Sequence, residues 1–300
     1  MLRLDPTRRG FLAAGLALAA APRLLARTAD EPLFKISLAQ WSYNKAFFSR
    51  KKDPLRFAEI AKKDHGIEAI EYVNQFYATK KSDGAYLMDL KKIADDNGVR
   101  SVLIMCDNEG KLGDPDEKKR TKAVNDHKRW VEWAKFLGCH SIRVNAYSSG
   151  TPDEQRSRVV DGLSKLSEIA AKMSINVIVE NHGGLSSNGE WLASVMKAVN
   201  LPNCGTLPDF GNFYEYDRYK GVDEMMPYAK GASAKSYDFD SKGNETKVDY
   251  RKMLDIVVKK HNYHGYMGIE YEGSKLSEAE GVAATKKLLE TIRTEMSKAN

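Results

Sequence analysis

Residues 175–184, INVIVENHGG, join two different kinds of sequence within ten positions. The first residues are mainly apolar and β-branched, which predicts a buried strand. Glu180, Asn181 and His182 follow at once, and two glycines come after them. A barrel of parallel strands brings side chains to its active site in this way, with an apolar strand body and a polar end. We therefore interpret this segment as a barrel strand that ends at a functional site.

Three further segments repeat the pattern of an apolar strand with a charged residue near its end. They are residues 205–212 (GTLPDFGN) with Asp209, residues 231–236 (GASAKS) with Lys235, and residues 266–273 (YMGIEYEG) with Glu270. Because the carboxyl ends of parallel strands meet at one edge of a sheet, these charges indicate one site that several strands share.

Strand-like and helix-like periodicities alternate between residues 34 and 297, and the count is eight strands, each followed by a helix. This alternation predicts a parallel sheet, and eight such units predict an α/β protein with a closed (β/α)8 TIM barrel. A doubly wound open sheet is the alternative, but it usually has fewer strands, and no GxGxxG motif follows the first strand. Since no linker divides the pattern, we expect one domain over residues 31–300.

Residues 1–30 form a signal peptide and a short linker in this interpretation. The segment TRRGFL at residues 7–12 leads into an apolar run that ends near Ala21. The run is too short to span a bilayer, so no stable membrane span is expected. Paired arginines before a short apolar run resemble a twin-arginine signal, which implies export to the periplasm or beyond.

Charge and cysteine content exclude several classes of function. The formal net charge is +6, and four arginines against one aspartate in residues 1–26 supply half of it. The remainder lacks the clustered basic surface of a nucleic-acid-binding protein. The three cysteines are odd in number and widely spaced, so neither a zinc finger nor a disulfide framework is expected.

Nearly every predicted strand ends in a polar residue. In chain order these are Gln40, Glu71, Asp107, Asn145, Glu180 with His182, Asp209, Lys235 and Glu270. Crowded carboxylates repel one another and need a cation or a proton among them. A divalent metal meets this need. Oxygen ligands favour Mg²⁺ or Mn²⁺, whereas an added imidazole shifts the preference towards Mn²⁺, Co²⁺ or Zn²⁺.

Over residues 33–297 the chain resembles the xylose-isomerase-like TIM-barrel family of sugar isomerases and epimerases. The motifs that carry the resemblance are VENHGG at residues 179–184, PDFGNF at 208–213, AK at 234–235 and GIEYEG at 268–273. The resemblance implies a divalent metal held by Glu, Asp, His and Glu on strands five to eight. Glu180, Asp209 and Glu270 match three of these positions, and two such carboxylates exchange a proton with the substrate in epimerases of the family.

The chain departs from the family on strand seven. The family often has a histidine two residues before a lysine there, and this chain has Ser233 before Lys235. A second family histidine, three residues after the aspartate, is Asn212 here. Three arrangements remain open: His182 replaces the missing imidazole, three carboxylates and water hold the metal, or Lys235 takes the place of the metal.

We therefore expect an exported enzyme that isomerises or epimerises a sugar by abstracting a proton next to a carbonyl. Glu180 and Glu270 are the expected acid/base pair, Asp209 is a ligand, and Lys235 or the metal stabilises the enolate. The expected substrate-binding residues are Gln40, Glu71, Asn145, His182 and Asn212. The acidic segment at 270–273 favours an unphosphorylated substrate, and no sequence feature indicates an oligomeric state.

Three other functions compete with this expectation. A lyase or hydratase acting on a keto-sugar or keto-glycoside would use the same enolate. A metal-free barrel that only binds carbohydrate would explain the missing strand-seven histidine. A phosphodiester nuclease on the same barrel would need a zinc cluster rich in histidine, but strands two and three end in Glu71 and Asp107.

Overall fold

The structure is a computed structural model that describes residues 31–298. The chain from Pro32 onward belongs to one compact unit. The predicted signal peptide, residues 1–30, lies outside the described residues.

Eight parallel strands form one continuous sheet, as the alternating sequence pattern predicts. They are β1 (Lys35–Ala39), β2 (Ala69–Val73), β3 (Arg100–Met105), β4 (Ser141–Val144), β5 (Asn176–Glu180), β6 (Cys204–Leu207), β7 (Ala232–Ser236) and β8 (Tyr266–Tyr271). The order is β6-β5-β4-β3-β2-β1-β8-β7, so β1 pairs with both β2 and β8. This is the curled sheet of a (β/α)8 barrel.

Short backbone contacts close the remaining seam between β6 and β7. The Phe210 N–H donates to the Ser233 carbonyl at 3.1 Å, and the Ser233 N–H donates to the Pro208 carbonyl at 2.9 Å. The seam between β6 and β7 therefore lies beside Asp209, so these backbone hydrogen bonds fix the position of the Asp209 backbone.

Helices follow the strands. They are α1 (Asn44–Phe48), α2 (Phe57–His65), α3 (Gly84–Asp96), α4 (Glu117–Leu137), α5 (Pro152–Ala171), α6 (Gly189–Val199), α7 (Arg218–Met225), α8 (Tyr250–Leu254) and α9 (Glu278–Lys298). Thr151 caps α5 in a capping box with Glu154, and Pro152 occupies the first turn, where both kinds of residue are favoured. None of the helices in the described residues is long and apolar enough to cross a membrane.

Two predicted helices differ in detail from the observed ones. The segment after β7 is one turn of α-helix, α8, followed by a π-helix over Asp255–Lys260. The sequence pattern predicts the helix after β6 around residues 222–228. The observed helix begins at Arg218, because the Asp217 carboxylate accepts hydrogen bonds from the Tyr219 and Lys220 N–H groups. Local capping decided this boundary, and apolar periodicity does not report capping.

The core has two layers. The larger layer packs the helices onto the outside of the sheet and includes Trp130, Leu163 and Ile292. The smaller layer lies inside the barrel and includes Leu103, Ile178 and Leu207. The three cysteines are buried and form no disulfide.

Candidate functional site

Three carboxylates meet at the carboxyl ends of the strands. Glu180 ends β5, Asp209 follows β6, and Glu270 lies in β8. All three are buried, and each offers one oxygen within 4.8 Å of the others. The structure thus brings together the three acidic residues that the sequence pattern placed at strand ends.

Lys235 enters this cluster from β7. Its Nζ lies 3.1 Å from Glu270 Oε1, 3.7 Å from Asp209 Oδ2 and 3.3 Å from Glu272 Oε1. The side chain is 1% exposed, so these contacts replace the water that the ammonium loses. Burial lowers the pKa of Lys235, but the surrounding carboxylates outweigh it and raise that pKa well above its ordinary value. Lys235 is therefore a fixed positive charge of the site.

The Ser233 hydroxyl lies within hydrogen-bond distance of two of the carboxylates. Its Oγ lies 2.6 Å from Asp209 Oδ2 and 3.1 Å from Glu270 Oε2. The second oxygen of Asp209, Oδ1, accepts the N–H groups of Gly211 and Asn212, both at 2.8 Å. Asp209 is thus held by hydrogen bonds at both oxygens, and its orientation is fixed before any ligand binds.

Arg143, on β4, is a site residue that the sequence analysis missed. Its Nη1 donates to Asp107 Oδ1 at 2.8 Å, and its Nε lies 2.7 Å from Glu180 Oε2. Asn145 Nδ2 donates to the same Asp107 oxygen at 2.7 Å. The available signal was an arginine inside a short predicted strand, since a buried guanidinium requires anionic partners.

The two carboxylate oxygens of Glu180 differ in their hydrogen bonding. Asn212 Nδ2 donates to Glu180 Oε1 at 2.9 Å. Glu180 Oε2 is buried beside Arg143 but is not aligned for a hydrogen bond with it or with any other group of the described residues. A buried carboxylate oxygen without a hydrogen-bond donor is a candidate position for a ligand.

The site contains more negative than positive charge. Within residues 31–298, the buried cationic side chains are Arg143 and Lys235. The buried carboxyl groups of the barrel interior and strand ends are those of Glu71, Glu180, Asp209 and Glu270. Burial raises the pKa of Glu180 to about 7. Burial likewise raises the pKa of Asp209 to about 7, against the opposing effect of Lys235. Glu180 and Asp209 therefore keep part of their protons at neutral pH, and a bound cation could take the place of those protons.

A divalent cation fits this requirement. Glu180, Asp209 and Glu270 supply converging oxygens. Three carboxylates favour a hard ion such as Mg²⁺ or Mn²⁺. His182 is not among the residues of this cluster. Its Nδ1 instead lies 2.8 Å from the Tyr147 hydroxyl.

The other predicted substrate-binding residues lie in different surroundings. Asn145 and Asn212 touch Asp107 and Glu180, at the rim of the site. Gln40 is fully buried, where it accepts from the Val73 N–H and donates to the Tyr77 hydroxyl. Its amide thus ties the ends of β1 and β2 together, and its role in binding substrate stays a prediction.

Glu71 lies inside the barrel. Ser37 Oγ donates to Glu71 Oε1 at 2.6 Å, and Glu71 Oε2 has no hydrogen-bond partner among the described residues. Gly268 makes room for this carboxyl group, because a Cβ there would lie 2.5 Å from Glu71 Oε2. Burial raises the pKa of Glu71 to about 8, against the opposing hydrogen bond from Ser37. A binding role for Glu71 also stays a prediction.

We expect Arg143→Met to destabilise the protein by about 3–5 kcal/mol, because the substitution leaves Asp107 and Glu180 without their buried counter-charge. Urea unfolding measures the loss. Arg120→Met is the matched control, since Arg120 pairs with the partly exposed Asp161 and such a pair contributes about 1 kcal/mol or less. Equal losses for the two variants would show that Arg143 does not balance the site.

We expect Glu71→Gln to stabilise the protein at alkaline pH. The pKa of Glu71 rises from 4.5 to about 8 on folding, so the folded chain holds a proton that the unfolded chain releases. Stability therefore falls as pH rises from about 5 to about 8, by about 3–5 kcal/mol for this group. Glutamine avoids this loss. The free energy of unfolding should therefore be higher for the variant than for the wild type at pH 9, but not at pH 5. A gain that is the same at both pH values would refute the assignment.

The comparisons with known proteins agree with this geometry. The profile of the xylose isomerase-like TIM barrel family matches residues 59–294. A search of the curated proteins returned no significant match. Many solved structures have a similar fold.

Three of these structures illustrate the likeness. A 3-keto-D-glucoside 4-epimerase from E. coli is 18% identical, with a TM-score of 0.69 over 86% of this chain and 99% of that one. A D-allulose 3-epimerase from Methylomonas sp. is 14% identical, with a TM-score of 0.70 over 87% and 98%. The IOLI protein with a bound zinc atom is 16% identical, with a TM-score of 0.70 over 87% and 99%. At these identities the likeness concerns the fold, and the family match extends over most of the barrel. This chain belongs to the xylose isomerase-like TIM barrel family.

Proposed function

We propose that the chain isomerises or epimerises a sugar by removing the proton on the carbon next to a carbonyl group. The observation that carries the proposal is the buried cluster of Glu180, Asp209 and Glu270 around Lys235 at the strand ends. A protein that only bound a sugar would gain nothing from clustering buried charges, whose desolvation is costly. Proton transfer, in contrast, requires carboxylates with a nearby positive charge.

Glu180 and Glu270 are the acid/base pair in this proposal. They come from β5 and β8, so they reach a bound ring from different parts of the barrel rim. One carboxylate takes the proton from the carbon, and the other returns a proton to the opposite face of the same carbon or to the neighbouring carbon. The first outcome is epimerisation and the second is isomerisation.

Lys235 stabilises the enolate oxygen that forms when the proton leaves. Glu270 and Glu272 hold its ammonium in place, at 3.1 and 3.3 Å. A divalent metal held by Glu180, Asp209 and Glu270 would polarise the same carbonyl as a Lewis acid. Arg143 is a positioning residue, since it fixes Glu180 from behind and is itself held by Asp107.

The fold comparisons support this choice of chemistry. Two of the three similar structures named above are sugar epimerases, and the family is that of xylose isomerase-like barrels. The acidic loop after β8 contains Glu272, which favours a neutral substrate over a phosphorylated one.

The test is hydrogen exchange at the substrate carbon. We expect the wild-type protein to incorporate deuterium from D₂O next to the carbonyl of a ketose or of a 3-keto-glycoside, as followed by proton NMR. Glu180→Gln and Glu270→Gln should each slow the exchange at least about 100-fold, since each removes one proton-transfer group.

Glu109→Gln is the control for the loss of a buried carboxylate. Glu109 is buried, and its Oε1 lies 2.5 Å from Lys81 Nζ. It is not one of the three carboxylates of the strand-end cluster. It should retain the wild-type exchange rate. Exchange that survives in both Glu180→Gln and Glu270→Gln would contradict the acid/base assignment. Elimination would appear in the same spectra as loss of the β-substituent.

We also propose that residues 1–30 direct export by the twin-arginine route. The support is the order of the parts in the sequence, with Arg8 and Arg9 before a short apolar run. Replacing both arginines by lysine should abolish the appearance of the protein in the periplasmic fraction of a bacterial host. Unchanged export of this double variant would contradict the proposal.

A further inference from the structure

The mouth of the barrel is divided into two halves of different chemistry. β1, β2 and β3 end in Ala39, Val73 and Met105, which belong to the apolar cluster inside the barrel. Most of the charged side chains of the site come instead from the later strands of the barrel, β4 to β8, and the exceptions are Glu71 in β2 and Asp107 after β3. A ligand at this mouth therefore meets an apolar surface on one side and charges on the other.

Three aromatic side chains, here called the aromatic wall, cover the apolar half. They are Trp41, Phe48 and Phe76. Trp41 and Phe76 pack onto the inner apolar cluster and stack with centroids 6.4 Å apart and an interplanar angle of 27°. Phe48 meets them edge-on, at 5.9 Å from Trp41 and 5.0 Å from Phe76. Phe48 is 55% exposed, so its ring is accessible to a ligand.

The aromatic wall is joined to the charged centre by two chains of contacts. Trp41 Nε1 donates to Glu272 Oε1 at 2.7 Å, and the same oxygen lies 3.3 Å from Lys235 Nζ. Beside the wall, Gln75 Nε2 lies 3.4 Å from Asp107 Oδ2. The wall is therefore a direct continuation of the proposed active site.

A groove of about 510 Å³ adjoins the wall. Its lining residues are Phe47, Phe48, Arg50, Lys52, Asp53, Pro54, Gln75 and Phe76. The volume lies in the range of small-molecule sites, and the lining combines aromatic faces with a few polar groups, as such sites do. The charges at its edge have both signs, so the lining suits a neutral ligand rich in hydroxyl groups.

We propose that the aromatic wall and this groove bind a second sugar ring, joined by a glycosidic bond to the ring that reacts at the carboxylates. A pyranose presents a flat face of C–H groups and an edge of hydroxyls. The flat face stacks on Phe48 and Phe76, and the hydroxyls reach Gln75 and the charged edge. The inference rests on the proposed function, because that function places a sugar ring at the carboxylates. It names the substrate class as a glycoside rather than a free monosaccharide.

Calorimetric titration of the whole chain with D-glucose and with cellobiose tests the inference. We expect the wild-type protein to bind cellobiose at least about tenfold more tightly than glucose. Phe48→Ala should reduce this preference to less than about threefold, because it removes a stacking face for the second ring. Phe48→Tyr, which keeps an aromatic ring, should restore the preference.

Phe136→Ala is the matched control, because Phe136 is a 44% exposed phenylalanine on α4, outside the groove lining. It should bind both sugars like the wild type. The inference is overturned if wild-type protein binds cellobiose no more tightly than glucose, or if Phe48→Ala weakens both sugars equally. Binding is measured without turnover, so a failure here is separate from a failure of hydrogen exchange, which would overturn the proposed function instead.

Discussion

The balance of buried charge at the strand ends is the constraint on which the rest of the site depends. Four carboxyl groups are buried in the barrel near two buried cations, Arg143 and Lys235. An uncompensated buried carboxylate is costly, so each charged group is fixed by a specific contact. Arg143 spans Asp107 and Glu180, and Lys235 spans Asp209 and Glu270. The carboxyl groups that the two cations do not balance retain protons near neutral pH, which suits them to proton transfer or to binding a cation.

The same constraint explains the division of the barrel mouth. Since the cations come from β4 and β7 and the triad from β5, β6 and β8, the charged half of the mouth is continuous. β1, β2 and β3 end in Ala39, Val73 and Met105, on which Trp41 and Phe76 pack. Glu71 and Asp107 are the carboxyl groups that this side contributes. The proposed sugar substrate would suit this arrangement, with its reactive carbon over the carboxylates and its C–H face over the aromatic rings.

Much of the fold and part of the site could be predicted from the sequence. The alternation of periodicities gave the eight strands, and the polar strand ends gave Glu180, Asp209, Lys235 and Glu270, because both signals are local. Arg143 was missed since four residues, SIRV, carry too little periodicity to show which side chains face the barrel interior. The space for the Glu71 carboxyl group depends on Gly268, which is distant in sequence, and no local pattern reports such a contact.

The location of a bound cation tests this account most directly. Crystals grown with Mn²⁺ would be measured for anomalous scattering, in the wild type and in Asp209→Asn. The account predicts one strong peak among the Glu180, Asp209 and Glu270 carboxylates in the wild type, and its loss in the variant. A wild-type site without a peak, with Lys235 bound to Glu270 as the sole cation among the three carboxylates, would contradict it.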